Sequence, residues 1–576
     1  MRERVEALIQ HPGGDWLEFS DPARVVIAES PSAVRSTLAE VERLTRDLGL
    51  HAVGFVSYEA GLAFDLATRP PNTATPLAWF GLFERKNVRT TTRPASQADY
   101  QLGPLGPTIS REAFERAFLV IKERLAAGDT YQVNFTFKMV GAFEGDPRAL
   151  FADLIEAQRG RHSVYIRIGD WAICSASPEL FFELDGAGIR ARPMKGTARR
   201  GLTVADDRRR RDELHESTKQ RAENVMIVDM VRNDLGRIAE IASVEVPELF
   251  TVEQYPNVWQ MTSLVTGRSL ASLAEIFAAM HPSASVTGAP KARTMDILSE
   301  LESEPRGIYC GAVGHVPPDG NASFNVAIRT AVVDISRRRV EFGIGSGVVW
   351  DSDVATEYEE CLLKGSVIGQ VPVRFELLET MRWTPEGGFF LCERHFDRLR
   401  ESADYFDFVF NAETAFDALS AAMIGLAQPR RVRLLISGDG RARVEHAPLV
   451  QQPTPLRVAI AGEPVDPQQI WLYHKTTRRE VYENARAQSG RCDDVILWNR
   501  EQEVTEATTA NVVAEVQGRR ITPPVRCGLL AGTFRAELLA RAEVQERVLT
   551  LDDLRSASRL WLINSVHEWR EATIQS

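Results

Sequence analysis

Arg192-Pro193-Met194-Lys195-Gly196-Thr197 is the stretch around which the chain is organised. Proline fixes one backbone torsion just before the lysine and glycine frees the next, so one amine is projected from a rigid strand end or turn. Taken alone, such a lysine is a solvated surface charge. It becomes a reactive group only if the surrounding sequence supplies a site for it.

Working outward, Ser110 opens a helix in which Phe114, Ala117, Phe118, Ile121 and Leu125 share one face, and Gly128 stops it. The next segment, Tyr131-Gln132-Val133-Asn134-Phe135-Thr136-Phe137, alternates strictly, putting Gln132, Asn134 and Thr136 on one sheet face as an uncharged polar lining. After the lysine, Glu223 lies where a polar helix becomes apolar, and strands are predicted over residues 307–316, 323–333 and 340–350. A closing helix carries Glu357, Glu360 and Lys364. The loop from His281 to Lys291 gathers small residues, hydroxyls and a glycine where a backbone could approach an anion. It lacks the spacing of a nucleotide-phosphate loop. Gly343-Ile344-Gly345-Ser346-Gly347 reads either as a strand end whose amides meet a carboxylate or as a tight turn. Glu223 and Glu360 either are solvated helix acids or together hold one Mg²⁺ that keeps its waters, and Glu360 with Lys364 at i,i+4 is also compatible with a simple helix salt bridge.

The totals exclude several function classes. A length of 576 residues implies about three or four structural units. The formal net charge of −11 repels phosphate backbones and argues against nucleic acid as a partner. The run Arg208 to Arg211, flanked by acids, reads as a salt-bridged helix face. Six cysteines at scattered positions form no metal-ligand or disulfide pattern. No segment reaches the roughly 18 to 20 apolar residues of a membrane span, and the first residues lack a signal-peptide core, so a cytoplasmic, membrane-free protein is expected.

Around residues 371–374 the pattern restarts with a strand, a Pro/Gly turn, a strand and a helix, which marks a domain boundary. In this second part Lys475 lies after a hydrophobic segment read as a strand and before a helix. Glu506 follows 31 residues on, and Gly532-Thr533 opens another helix, where free amides and the dipole can seat a phosphate. An acid set against a pyridinium nitrogen is what pyridoxal phosphate needs as an electron sink.

Residues 110–368 resemble the chorismate-utilising enzymes, the group that includes anthranilate synthase, isochorismate synthase and aminodeoxychorismate synthase component I. The resemblance rests on residues 193–197, 222–234, 281–291, 324–330, 343–347 and 357–360, in that order. It implies a four-layer α/β (α+β) fold in which Glu223 and Glu360 bind Mg²⁺ and Glu179 is the general acid near the departing hydroxyl. Arg329, Tyr309 and the amides of Gly345, Ser346 and Gly347 would grip substrate carboxylates, with His281, Thr287 and Lys364 completing the pocket. It further implies that a lysine at position 195, where anthranilate synthases carry a small residue, adds to the chorismate ring as the C4 hydroxyl leaves and is then displaced by ammonia. With no glutamine amidotransferase domain recognisable, ammonia would come from a separate subunit or from solution.

Residues 374–576 resemble the fold-type IV pyridoxal phosphate enzymes, which include branched-chain and D-amino acid aminotransferases and aminodeoxychorismate lyase. That resemblance implies that Lys475 carries the cofactor, Glu506 pairs with its ring nitrogen, and Thr533, Gly532 and Arg398 hold its phosphate. A homodimer through this domain is an expectation, with the oligomeric state itself left open by the sequence. Gly532-Thr533-Phe534-Arg535 replaces the aminotransferases' Gly-Ile-Thr-Arg and moves the hydroxyl by one place. The expected organisation is a synthase-like domain over residues 1–370, with a lobe at 1–108 and a core at 109–370, and a lyase-like domain over 371–576. The expected outcome is 4-aminobenzoate, a folate precursor; an aminotransferase-like or purely scaffolding second domain remains the alternative.

Overall fold

The computed structural model describes residues 4–11, 14–72, 75–94, 99–369, 373–451 and 454–575. The chain forms two compact units, residues 1–200 with 211–372, and residues 201–210 with 373–576. The expected boundary at 370/371 lies outside the described residues.

In the first unit two large antiparallel sheets, of eleven and ten strands among the described residues, lie face to face. Val164, Ile166 and Ile173 of one sheet share a buried cluster with Val53, Phe55 and Val313 of the other. Helices cover both outer faces. Pro31–Leu48, Thr218–Gly236 and Leu273–Met280 pack on the ten-stranded sheet, and Arg111–Ala126, Pro147–Gln158 and Val354–Gly365 on the eleven-stranded one. The result is the four-layer helix–sheet–sheet–helix arrangement. Phe182, Phe277 and Phe324, with ring centroids 5.2–5.5 Å apart, anchor one outer layer, each contributing about 1.5–3 kcal/mol by burial.

Residues 1–108 are not set apart from the core. Val5–Gln10 pairs with His162–Ile168 in one sheet, and His51–Val56 pairs with Ala312–Val316 in the other. Strand edges are satisfied by pairing, so the early strands extend both sheets instead of closing a lobe of their own. The segment read as one strand over 323–333 is also divided: Ala322–Val326 belongs to the ten-stranded sheet and Thr330–Asp334 to the eleven-stranded one. The chain turns between them at Arg329, whose φ of 51° is positive. This corner is where a functional side chain can leave both sheets.

The second unit contains a four-stranded sheet, with Leu377–Thr384 at its centre and the helices Cys392–Phe406 and Ala412–Met423 beside it, and an eight-stranded sheet. Along Arg430–Ile436 the buried Val432 and Leu434 join the core beneath those helices, so Arg431 and Arg433 share the opposite face. Among the described residues no helix is long and apolar enough to cross a membrane.

Candidate active sites

The strand Met194–Arg199 pairs with Val258–Arg268, but its register slips between Met194 and Thr197. Lys195 and Gly196 sit in that slip, with Gly196 at φ 102°, a value that L side chains rarely adopt. Asn224 Nδ2 donates to the Lys195 carbonyl at 3.0 Å and Gln260 Nε2 to the Gly196 carbonyl at 2.8 Å, which fixes the bulge. A Cβ on Gly347 would stand 2.5 Å from Lys195 Nζ, so the glycine makes room for the amine. Burial lowers the proton affinity of this amine. Glu223, Glu360 and Glu357 oppose that effect and Lys364 adds to it, leaving Lys195 below its ordinary pKa.

Glu179 is 2% exposed, and its Oε1 accepts a hydrogen bond from Ser285 Oγ at 2.5 Å. Burial pushes its pKa up to about 8 against the opposing pull of Ser285 and Lys195, so near pH 7 the carboxyl carries its proton. An acid and a weakly basic amine therefore act on one another in the same interior. Ser285 lies in the small-residue loop, but nothing in the sequence tied it to Glu179.

Glu360 is half-exposed and 2.6 Å from Lys364 Nζ. Burial favours its neutral form, but Lys364, Lys195 and Arg329 outweigh that and hold it below the usual carboxylate range. Lys364 also donates to the Gly345 carbonyl at 3.0 Å, and Arg329 Nη1 donates to the Lys364 carbonyl at 3.0 Å. Burial lowers the pKa of Arg329 while Tyr309 and Glu360 pull the other way. Gly343 to Gly347 is the C-terminal half of a strand and not a tight turn. It lies inside Arg339–Val348, paired along one edge with Gln132–Gly145, while Thr330–Asp334 reaches only as far as Phe342 on the other. Beyond Phe342 that second edge has no strand partner among the described residues, which leaves room for a ligand. The Tyr309 ring lies against Gly343, where a Cβ would stand 2.1 Å from a ring atom.

Two predicted residues are committed locally. Thr287 Oγ1 donates back to the Ser283 and Ala284 carbonyls at 3.2 and 3.3 Å. His281 is buried among the rings of Phe64, Phe181 and Phe277, with Nε2 2.9 Å from the Ser57 carbonyl. Burial drops its pKa to about 3, so it is neutral. Conversely, Gln132, read only as part of a polar sheet face, is fully buried beside the Gly347 position. Both of its amide atoms lack a hydrogen-bond partner among the described residues. Ser346 Oγ is likewise buried and unpartnered. Among the described residues no three His, Cys, Asp or Glu side chains cluster to hold a metal. Glu223 and Glu360, an all-oxygen pair acting on one amine, fit Mg²⁺, which retains water ligands and needs no protein cage.

The second site surrounds a cavity of about 490 Å³ lined by Lys475, Glu506, Arg398, Gly532 and Thr533 among others. Lys475 does not follow a strand: the preceding Ile470–Leu472 is a 3₁₀ turn, whose aromatic Trp471 packs on Phe375 and Phe406. The Lys475 carbonyl accepts from Leu378 N at 3.0 Å, which ties the lysine to the four-stranded sheet. Burial, reinforced by Arg398 and opposed by Glu379, brings its pKa down to about 8. Glu506, 4% exposed, accepts from Tyr482 Oη at 2.8 Å and Leu530 N at 3.2 Å. Burial raises it to about 7.

At the other end, Arg398 grips Glu379 with Nε and Nη2 at 2.8 and 2.6 Å and donates Nη1 to the Ala531 carbonyl at 3.0 Å. Burial would raise Glu379, but Arg398 and His395 hold it at about 2. His395 bridges from Glu379, 2.6 Å away, to Thr533 Oγ1 at 3.3 Å. The Glu379–His395–Arg398 network is invisible in sequence because Glu379 looks like any polar residue of an alternating strand. The helix Thr533–Ala540 begins at Gly532 with no side-chain cap, so its first amides are available to an anion. A Cβ on Gly532 would meet Asn511 Oδ1 at 1.9 Å, so only glycine fits. An amine, an opposed buried acid and an anion seat are the donor set that pyridoxal phosphate requires.

Residues 6–370 match the family of chorismate binding enzymes, and residues 376–574 match amino-transferase class IV. Over 254 residues, 44% of this chain and 56% of the relative, the sequence is 41% identical to aminodeoxychorismate synthase component 1 of Klebsiella aerogenes. Over 318 residues, 55% of this chain and 69% of the relative, it is 39% identical to the protein of the same name from Salmonella typhimurium. The chain thus spans little more than half the length of the first of these relatives. Anthranilate synthase component I of Streptococcus pneumoniae shares the fold, with a TM-score of 0.52 at 23% identity over 65% of this chain and 93% of that one.

Proposed function

The chain belongs to the chorismate binding enzyme family, and from that membership we propose that it converts chorismate and ammonia to 4-amino-4-deoxychorismate, then eliminates pyruvate from that product to give 4-aminobenzoate. The observation that carries the first step is the pairing of Lys195, an amine held below its usual pKa, with Glu179, a carboxyl that keeps its proton. Lys195 Nζ attacks the ring as neutral amine, Glu179 protonates the departing C4 hydroxyl, and ammonia then enters at C4 and expels the lysine. Arg329, Tyr309 and the Gly345–Gly347 backbone line the side where substrate carboxylates bind. Mg²⁺, held by Glu223 and Glu360, would supply positive charge to a substrate carboxylate. Ammonia would be delivered by a separate amidotransferase subunit, in keeping with the component 1 names of the relatives.

In the second site pyridoxal phosphate would supply an electron sink. Lys475 would hold its aldehyde carbon, Glu506 its ring nitrogen, and Thr533, the adjacent amides and Arg398 its phosphate. The chain's own part in the chemistry is Lys475 Nζ, which takes the proton from substrate C4 as the C3–O bond breaks and the ring becomes aromatic; the departing enolpyruvate takes up a proton at its methylene carbon to become pyruvate. The reading is tested by incubating the purified chain with chorismate, Mg²⁺, ammonium and pyridoxal phosphate and identifying the products. 4-Aminobenzoate with one equivalent of pyruvate is expected; 2-aminobenzoate, or aminodeoxychorismate that accumulates without pyruvate, would refute it.

A further inference from the structure

The end of the second cavity assigned to the phosphate of pyridoxal phosphate, an assignment on which the inference rests, is backed by a relay of hydrogen bonds. Thr533 and Arg398 line the cavity. Behind Thr533 stand two buried side chains, His395 on the helix Cys392–Phe406 and Glu379 on the strand Leu377–Thr384. Glu379 Oε2 lies 2.6 Å from His395 Nδ1, and His395 Nε2 lies 3.3 Å from Thr533 Oγ1.

The acceptors fix where the protons of this relay sit. Burial would raise the pKa of Glu379, but Arg398 and His395 hold it at about 2, so it is a carboxylate that can only accept. His395 Nδ1 therefore carries a proton and donates it to Glu379. Burial lowers the pKa of His395; Glu379 opposes that effect, and Arg398 and Lys475 add to it, so at neutral pH the ring has one N–H and not two. Nε2 is then an acceptor, and the Thr533 hydroxyl is its donor. A hydroxyl has only one proton. With that proton turned inward, Thr533 Oγ1 presents lone pairs alone to the cavity, and these repel the phosphate it is assigned to hold. Turning the hydroxyl outward would instead strand Nε2 in a side chain that is 0% exposed. The charged side chains that bridge the same two helices, Arg394 and Glu537, are paired with each other at 2.7 Å.

One proton removes the conflict. With a proton from solvent on Nε2, both ring nitrogens donate, Nδ1 to Glu379 and Nε2 to Thr533 Oγ1, and the hydroxyl is free to donate to phosphate. A dianion at this end of the cavity favours the imidazolium, as Glu379 already does. We propose that His395 is a proton-coupled positioning residue of the phosphate seat: it takes up one proton as the phosphate dianion binds, and thereby turns the Thr533 hydroxyl from His395 to the ligand. The second domain therefore holds its cofactor more weakly as pH rises.

The test uses the full-length protein freed of cofactor at about pH 7.5, where a phosphate monoester with a second pKa of about 6 is a dianion. Calorimetry in two buffers of different ionisation enthalpy counts the protons taken up as pyridoxal phosphate binds, while the absorbance band and the ³¹P resonance of the bound cofactor are recorded. Wild type should take up about one proton more than His395→Asn or Thr533→Val, and Thr533→Ser should match wild type. Both disabling variants should bind the cofactor about tenfold more weakly or worse, the weight of one hydrogen bond to a charged group. That advantage of the wild type should shrink by up to about tenfold per pH unit on going to higher pH. The ³¹P resonance should be that of a dianion throughout. Thr533→Val leaves the Glu379–His395 pair intact and carries the test if His395→Asn fails to fold. Equal proton counts in wild type and either folded variant would overturn the proposal, as would a bound phosphate that has itself taken the proton. A wild-type protein that develops no cofactor band would overturn the reading of the cavity and the inference with it, whereas a full band with equal counts overturns the inference alone.

Discussion

Lys195 and Lys475 are both amines held below the ordinary lysine pKa, but their surroundings are of opposite sign. Around Lys195 the neighbours are mainly acids, so burial must outweigh Glu223, Glu360 and Glu357 to favour the neutral amine. Around Lys475 the largest influence after burial is Arg398, which works with burial and brings the amine to about 8. The difference suits the two proposed steps. An acidic pocket can hold a divalent cation and through it an anionic substrate, whereas a basic pocket can hold a phosphate and further carboxylates without a metal. One chain thus lowers the pKa of two amines in two different electrostatic settings.

The largest test of this contrast removes each amine in turn. Lys475→Ala should lower 4-aminobenzoate formation by more than about a thousandfold while aminodeoxychorismate accumulates. Lys195→Ala should abolish the first reaction or divert it to 2-aminobenzoate, with pyruvate release from supplied aminodeoxychorismate unaffected. Chromatography of the ring products distinguishes these outcomes, and normal output from either variant would contradict that lysine's role.

A smaller perturbation displaces one amine without deleting it. Gly347→Ala puts a methyl group where Lys195 Nζ lies 2.5 Å away, and a shift of about 1 Å at a reacting group costs roughly 100-fold. The synthase rate should fall by about that factor and the lyase rate should not change. Equal loss in both would point to a folding defect.

The pH dependence sharpens the comparison further. Glu179 must be protonated to act as an acid, so the synthase rate should fall as pH rises through about 8, where Glu179 ionises. Lys195 must be neutral, so the same profile should rise on its acid side. Glu179→Gln should cost about 100-fold or more and abolish the alkaline fall; a profile whose alkaline limb survives the substitution would assign that limb to another group.

The gentlest change is Tyr482→Phe. Its hydroxyl lowers the pKa of Glu506, so its loss should raise that pKa and move the pH profile of pyruvate release upward, with a rate loss of about tenfold. An unshifted profile would show that Glu506 does not govern that step.

Much of both candidate sites was legible because the side chains proposed to act there sit at positions where sequence pattern is unusual. Lys195 lies between proline and glycine, Gly345 and Gly347 lie in a dense glycine run, and Gly532 precedes a helix. What sequence did not reveal were partnerships made across folded distance. Ser285 meets Glu179 over 106 residues, His395 and Glu379 meet across a helix and a strand, and Arg329 turns a corner between two sheets that alternation alone reads as one strand. Pairing partners of the early strands were equally hidden, since alternation fixes which face is buried but not which edge is joined. Lys475 was expected after a strand because Trp471, Leu472 and Tyr473 are apolar, but aromatic packing is satisfied equally well by the 3₁₀ turn observed.

One lysine is proposed for each step and aminodeoxychorismate is the compound that passes between them, so mixing is the most direct measurement. The Lys195→Ala and Lys475→Ala proteins, each inactive alone for the overall conversion, are combined with chorismate, ammonium, Mg²⁺ and pyridoxal phosphate. Restored 4-aminobenzoate is predicted, since each protein retains one intact site; a mixture that remains inactive, or either variant producing 4-aminobenzoate alone, would contradict it.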